Sequence, residues 1–135
     1  MVLNKGTYWA LKALIYLASQ PPGAAPHLAA EVATAVGAPA PTTAKVLRRL
    51  SLAGILVSLR GPKGGFMLAR SPQDLTVYDV VQALDGHSPE TQQSPEQPSD
   101  PAQAGLEAFI SATREKVSAA MRATTIAELL ELGRQ

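Results

Sequence analysis

The chain has 135 residues, 46% of them apolar, 17% charged and none of them cysteine, with a formal net charge of +1. That length fits one compact domain with an appended element and excludes two large domains; without thiols there is no disulfide, thiolate metal site, cysteine-ligated iron-sulfur cluster or catalytic cysteine. The small total hides an asymmetry, because residues 1–70 carry eight Lys and Arg against Glu31 alone, a net of +7, whereas residues 71–135 carry four against ten acids, a net of −6.

Clustered cations attract phosphates and release counterions, so the first half reads as the part that meets a polyanion. The N-terminus lacks the basic-then-apolar layout of a signal peptide, and the longest apolar stretch, residues 10–18, is interrupted by Lys12. A cytoplasmic protein with no membrane segment is expected.

Tyr8, Leu11, Leu14, Ile15 and Ala18 recur at steps of three and four, which predicts a first helix over residues 6–19, stopped by Pro21-Pro22-Gly23. Tyr8 and Trp9 lie in that dense apolar run and are expected in the core. Leu28, Val32 and Ala35-Val36 repeat the spacing in a second helix with Gly37 at its C-terminal cap. A third helix is predicted from Pro41, placed at the first helical position where its missing N–H is harmless, to Ala53, with Gly54 as the stop. Its face is divided: Val46, Leu47, Leu50 and Ala53 form an apolar stripe, while Thr42, Lys45, Arg48 and Arg49 project elsewhere, with Leu52 interrupting the polar side.

After Gly54 the period changes to two. Ile55, Val57 and Leu59 alternate with Leu56, Ser58 and Arg60, the loop Gly61-Pro62-Lys63-Gly64-Gly65 follows, and a second strand resumes over residues 66–70. Thr76 and Asp79 form a capping-box pair for a fourth helix over residues 77–85. Residues 87–103 contain four prolines and no periodic apolar residue, which predicts a flexible loop. Leu106, Phe109, Ile110, Thr113, Val117 and Met121 then set a near-heptad stripe on a long helix from about 103 to 122, and Thr125 with Glu128 caps a last short helix.

The order helix, helix, turn, helix, hairpin is that of a winged helix-turn-helix. The fold class expected is mainly α with a small β-hairpin: a DNA-binding domain over residues 1–86, the Pro-rich loop 87–103, and a dimerisation helix with a short C-terminal helix over 104–135. In such a domain the third helix enters the major groove and the wing tip reaches backbone or minor groove. Thr42, Thr43, Lys45, Arg48 and Arg49 on that helix, and Arg60, Gly61, Lys63 and Gly64 in the wing, are the expected contacts to double-stranded DNA. Which of them touches a base and which a phosphate is not decided by spacing. The stripe from Leu106 to Met121 is expected to pair two copies, because a helix-turn-helix dimer gains affinity by engaging two half-sites.

Three segments carry a resemblance. Leu3-Asn4-Lys5-Gly6-Thr7-Tyr8-Trp9-Ala10-Leu11-Lys12-Ala13-Leu14, then Leu47-Arg48-Arg49-Leu50 through Gly54-Ile55-Leu56, and above all Leu59-Arg60-Gly61-Pro62-Lys63-Gly64-Gly65-Phe66 resemble the Rrf-two (Rrf2) family of bacterial regulators, which includes the iron-sulfur cluster regulator and the nitric-oxide-sensitive repressor. Thr76-Val77-Tyr78-Asp79-Val80-Val81 and Thr125-Ile126-Ala127-Glu128-Leu129 extend it over nearly everything except the Pro-rich loop. The resemblance implies a homodimeric winged-helix transcription regulator, commonly a repressor, with the long helix as dimer contact and Arg60 reaching into the minor groove.

The chain departs from that family where many members carry three cysteines between the fourth helix and the long helix. Here that loop has none, so no cluster, no other metal site and no cofactor are expected. His87 in the loop and His27 near the second helix are expected to be solvated and structural respectively. Any switching signal would then be a small-molecule or protein effector, or another covalent event. Ala40 and Ala44 stand where relatives often carry larger polar residues, which points to a different base preference. The alternative function is a protein-interaction adaptor on the same scaffold, against which the retained Arg48, Arg49, Arg60 and Lys63 argue. An enzyme is not expected: no nucleophile-base pair or ligand cluster is visible, and the Gly61 to Gly65 loop leads into a strand rather than the helix of a phosphate-binding loop.

Overall fold

The structure is a computed structural model that describes residues 3–85 and 100–134. Six helices and one hairpin follow in the order α1 (Lys5–Ala18), α2 (Ala29–Val36), α3 (Ala40–Leu52), β1 (Leu56–Leu59), β2 (Gly65–Leu68), α4 (Val77–Asp85), α5 (Pro101–Ala123) and α6 (Ile126–Arg134). The fold is a winged helix followed by a long C-terminal helix.

Short polar residues at the helix starts explain the boundaries. Asn4 caps α1 by accepting from the Thr7 N–H at 2.8 Å. Thr76 and Asp79 exchange backbone-to-side-chain bonds, both 3.1 Å, in the reciprocal box expected for α4. Thr125 accepts from the Glu128 N–H at 3.1 Å at α6. The start of α3 differs from expectation by one residue: Pro39 occupies the cap and Pro41 the second helical position, because the Pro39 carbonyl accepts the Thr43 N–H and closes the first turn earlier.

The long helix also starts earlier, at Pro101. Asp100 accepts the Gln103 N–H at 2.8 Å, and Pro101 follows it in the first turn, so residues 101–103 are helix and not the end of a loop. The remainder of the expected Pro-rich loop, with His87, lies outside the described residues apart from Asp100.

One core holds the elements together. Leu14 from α1, Val32 from α2, Leu47 and Leu50 from α3, Leu75, Val80 from α4 and Ile126 from α6 all have essentially no accessible surface. Complete burial of such a side chain contributes roughly 1.5–3 kcal/mol. The short helix α6, grouped by sequence with the long helix, therefore packs into the core of the winged domain. Three backbone bonds fasten it: Ile126 N–H to Leu75 O at 2.8 Å, Ala127 N–H to Pro72 O at 3.1 Å, and Val77 N–H to Thr124 O at 2.9 Å. The long helix α5, which precedes these attachments, has no buried residue. Its C-terminal end rests on α4, with the Arg122 guanidinium 4.2 Å from the centre of the Tyr78 ring.

Of the two aromatic residues expected in the core, one stands elsewhere. Trp9 packs against the core from a half-buried position, but Tyr8 is 50% exposed, because it falls outside the row of Thr7, Leu11 and Leu14 that faces inward. Lys12 lies near both rings and donates to the Val36 carbonyl at 2.8 Å, satisfying the C-terminal end of α2.

Candidate nucleic-acid interface

The third helix owes its place to Val46, Leu47 and Leu50, which seat it in the core and leave the opposite side to solvent. Lys45, Arg48 and Arg49 are exposed on that side. Among the described residues no carboxylate pairs with any of them, and no charged or hydrogen-bonding partner is found for Lys45 or Arg48. Arg49 differs, since its Nη1 donates to the Leu84 carbonyl at the C-terminal end of α4 at 3.5 Å.

Thr42 is partly exposed. Thr43 is not available to DNA: it is 2% exposed, and its hydroxyl donates to the Pro39 carbonyl at 3.0 Å. The expectation that it makes a contact is corrected. Its side chain belongs to the buried row, where a hydroxyl needs an internal acceptor, and the preceding turn supplies one.

The wing is an antiparallel pair in the register Leu56 with Leu68, Val57 with Met67, Ser58 with Phe66 and Leu59 with Gly65. Leu56, Phe66 and Leu68 turn toward the core, and Val57, Leu59 and Met67 are exposed at 40%, 44% and 36%. The alternation alone does not say which of the two sets faces inward. Ile55 is buried beside Leu56 because it precedes the strand, bound to Leu50 and Ala69 through its own backbone.

At the tip Arg60, Gly61 and Lys63 are exposed, and the Gly64 N–H donates to the Gly61 carbonyl at 2.9 Å, closing the turn. Gly61 has φ +102° and Gly65 φ +139°, a region that L side chains rarely adopt. Gly64 is buried, and a Cβ there would strike the Leu59 carbonyl, so its contribution is the shape of the tip and the expected contact to DNA by Gly64 is corrected.

A residue that the sequence reading treated as merely structural fixes the wing. His27 pairs with Phe66 through its backbone, donating at 3.0 Å and accepting at 2.7 Å, as a one-residue third strand. A Cβ at Gly65 would lie 2.5 Å from the His27 carbonyl oxygen. Backbone pairing leaves no side-chain signature, which is why spacing does not reveal it.

The expected pairing stripe on α5 divides. Leu106, Phe109 and Ile110 are 63%, 68% and 45% exposed, and Thr113 is exposed as well. Val117 and Met121 instead line an apolar groove of about 300 Å³ with Leu3, Val77 and Ala120. Met121 is half-buried and packs against the chain's own core, because α5 meets α4 at that end.

The family model Rrf2, described as an iron-dependent transcriptional regulator, matches residues 3–132. An HTH-type transcriptional regulator of Aquifex aeolicus is 35% identical over 82 residues, covering 61% of this chain and 56% of that protein. An rrf2-like HTH-type regulator of Rhodobacter capsulatus is 35% identical over 88 residues, covering 64% and 58%. The match thus spans little more than half the length of these curated relatives. Among solved structures, IscR of T. potens superposes with TM-score 0.78 at 21% identity, covering 98% of this chain and 88% of that one. CymR, the global cysteine regulator of B. subtilis, gives 0.77 at 23% identity, covering 98% of both chains. At those identities the likeness concerns the fold.

The family description names iron, and the donor set here does not suit a cluster. Iron-sulfur clusters are held by thiolates, and the chain has no cysteine. Among the described residues no three His, Asp or Glu side chains converge on a common point. Among them, too, no helix is long and apolar enough to cross a membrane.

Proposed function

Because the chain belongs to the Rrf2 family of transcriptional regulators, we propose that it is a sequence-specific DNA-binding regulator, a repressor that acts as a homodimer and is switched by a signal other than an iron-sulfur cluster. The observation that carries this reading is the set of cations left without carboxylate partners on the third helix and the wing tip. Lys45, Arg48, Arg60 and Lys63 are exposed and form no ion pair among the described residues. Cations meant only for solubility are commonly interspersed with acids, whereas residues 1–70 contain one acid. In this reading α3 occupies the major groove, and Arg60 and Lys63 approach the backbone or the adjacent minor groove.

Dimerisation would use the exposed part of α5, where Leu106, Phe109 and Ile110 present apolar surface on a helix with no buried residue. Two copies joined there would carry two reading helices to two half-sites, which would bind more tightly than one. With no thiolate in the chain, the signal would be a small molecule, a protein partner or a covalent event other than cluster chemistry.

Charge reversal at the wing tests the reading. Arg60→Glu with Lys63→Glu is expected to abolish specific DNA binding while leaving the thermal midpoint within a few degrees, since both side chains are exposed and unpaired among the described residues. Unchanged affinity in an electrophoretic mobility shift, together with retained binding to a protein partner, would support an adaptor instead.

A further inference from the structure

The arginines of α3 are adjacent in sequence but face different surroundings, and this separates their tasks within the DNA-binding reading on which the inference rests. The inward row is Thr43, Val46, Leu47 and Leu50. With 3.6 residues per turn, the side opposite that row carries Pro41, Lys45, Arg48 and Leu52, all exposed. Ala44 lies on one flank, and Thr42 and Arg49, seven residues apart, lie roughly a quarter turn round on the other.

That flank faces the N-terminus of α1 and the C-terminus of α4. Thr42, Lys45 and Arg49 line a cleft of about 230 Å³ with Asn4, Leu84 and Asp85. Arg49 donates to the Leu84 carbonyl at 3.5 Å, and Asn4 Nδ2 donates to Asp85 Oδ1 at 3.0 Å across the same cleft. A guanidinium at a helix C-terminus is held there by the partial negative charge of the unsatisfied carbonyls. Arg48 has no such tether among the described residues.

The major groove is about 12 Å wide, and a helix with its side chains is about 10–12 Å across. A helix inserted to the base edges therefore fills the groove. Side chains at its outer pole meet bases, and those a quarter turn away meet the phosphate walls. We propose that Arg48 is the base-reading arginine, paired with the O6 and N7 of a guanine, and that Arg49 is a phosphate clamp that adds affinity without sequence information.

The test begins with sites selected by the wild-type protein from a random duplex pool. Affinities for the best site and all of its single-base variants are then measured across a salt series for wild type, Arg48→Ala, Arg49→Ala and Arg49→Lys. Arg48→Ala is expected to erase discrimination of roughly 5- to 150-fold at one G·C pair in each half-site while preserving it elsewhere. Arg49→Ala is expected to weaken every site by the same factor and to lower the slope of log affinity against log salt by about one per subunit, with Arg49→Lys restoring the slope. A uniform loss in Arg48→Ala, or a loss of base preference in Arg49→Ala, overturns the division. If the wild type selects no site, the DNA-binding reading fails and the division fails with it, a result distinct from either variant's behaviour. Both arginines are exposed, so unchanged circular dichroism and thermal midpoint separate these effects from misfolding.

Discussion

Lys12 and Arg70 belong to the basic half but serve the fold. Lys12 closes the end of α2 through the Val36 carbonyl, and Arg70 reaches the Asp74 carbonyl at 3.0 Å and the Asp79 carboxylate at 3.4 Å. Counting charges by segment does not separate such residues from Arg48 or Lys63, because the acceptors lie in other elements. The same holds for Thr43, whose burial depends on which edge of the α3 stripe the core covers. At Gly65 the chain needs both a positive φ and the absence of a Cβ against His27. Gly65→Ala is therefore expected to destabilise the fold by about 1–3 kcal/mol, read as a lower denaturant midpoint at unchanged slope, and to weaken DNA binding by displacing the wing. The control is Gly61→Ala, where φ is also positive but nothing lies within 4 Å of the added methyl; its smaller expected loss isolates the collision with His27.

The helices were legible because their signals are local. The Thr76 and Asp79 box, the Thr125 cap and the glycine stop after α2 each lie within a few residues of the boundary they set. The hairpin was legible as an element, but its facing was not. Ile55, Leu56, Val57 and Leu59 supply apolar residues to both sides, so period two fits either assignment until the Ile55 backbone bonds fix the register. For α5 the stripe was visible, but which part of it the chain itself covers follows from where α4 meets the helix. The exposed part carries the pairing proposal. Phe109→Glu, at a residue 68% exposed, is expected to convert dimer to monomer in analytical ultracentrifugation while leaving the midpoint of monomer unfolding nearly unchanged. A dimer that persists would place the interface elsewhere.

At the scale of the whole molecule, the fold and the family agree while the chemistry of the switch departs. The winged domain, long helix and returning α6 match the family model from residue 3 to residue 132, yet its description names iron and this chain lacks the thiolates that would hold a cluster. The packing that places α3 does not involve such ligands. Leu47 and Leu50 seat α3 against Leu14 and Val80, and α6 seals the same core through Ile126. On the proposed reading, a surface seated by this packing needs no metal to hold its shape, and DNA binding is expected to be independent of iron.

The most direct measurement is the binding of chelator-treated protein to its best-enriched genomic fragment against a scrambled competitor, at several salt concentrations and with or without added ferrous iron. The account predicts at least about a thousandfold preference for the fragment at moderate salt, a steep loss of affinity as salt rises, and no change on adding iron. Equal affinity for fragment and scrambled DNA, or specificity that appears only with iron, would contradict it.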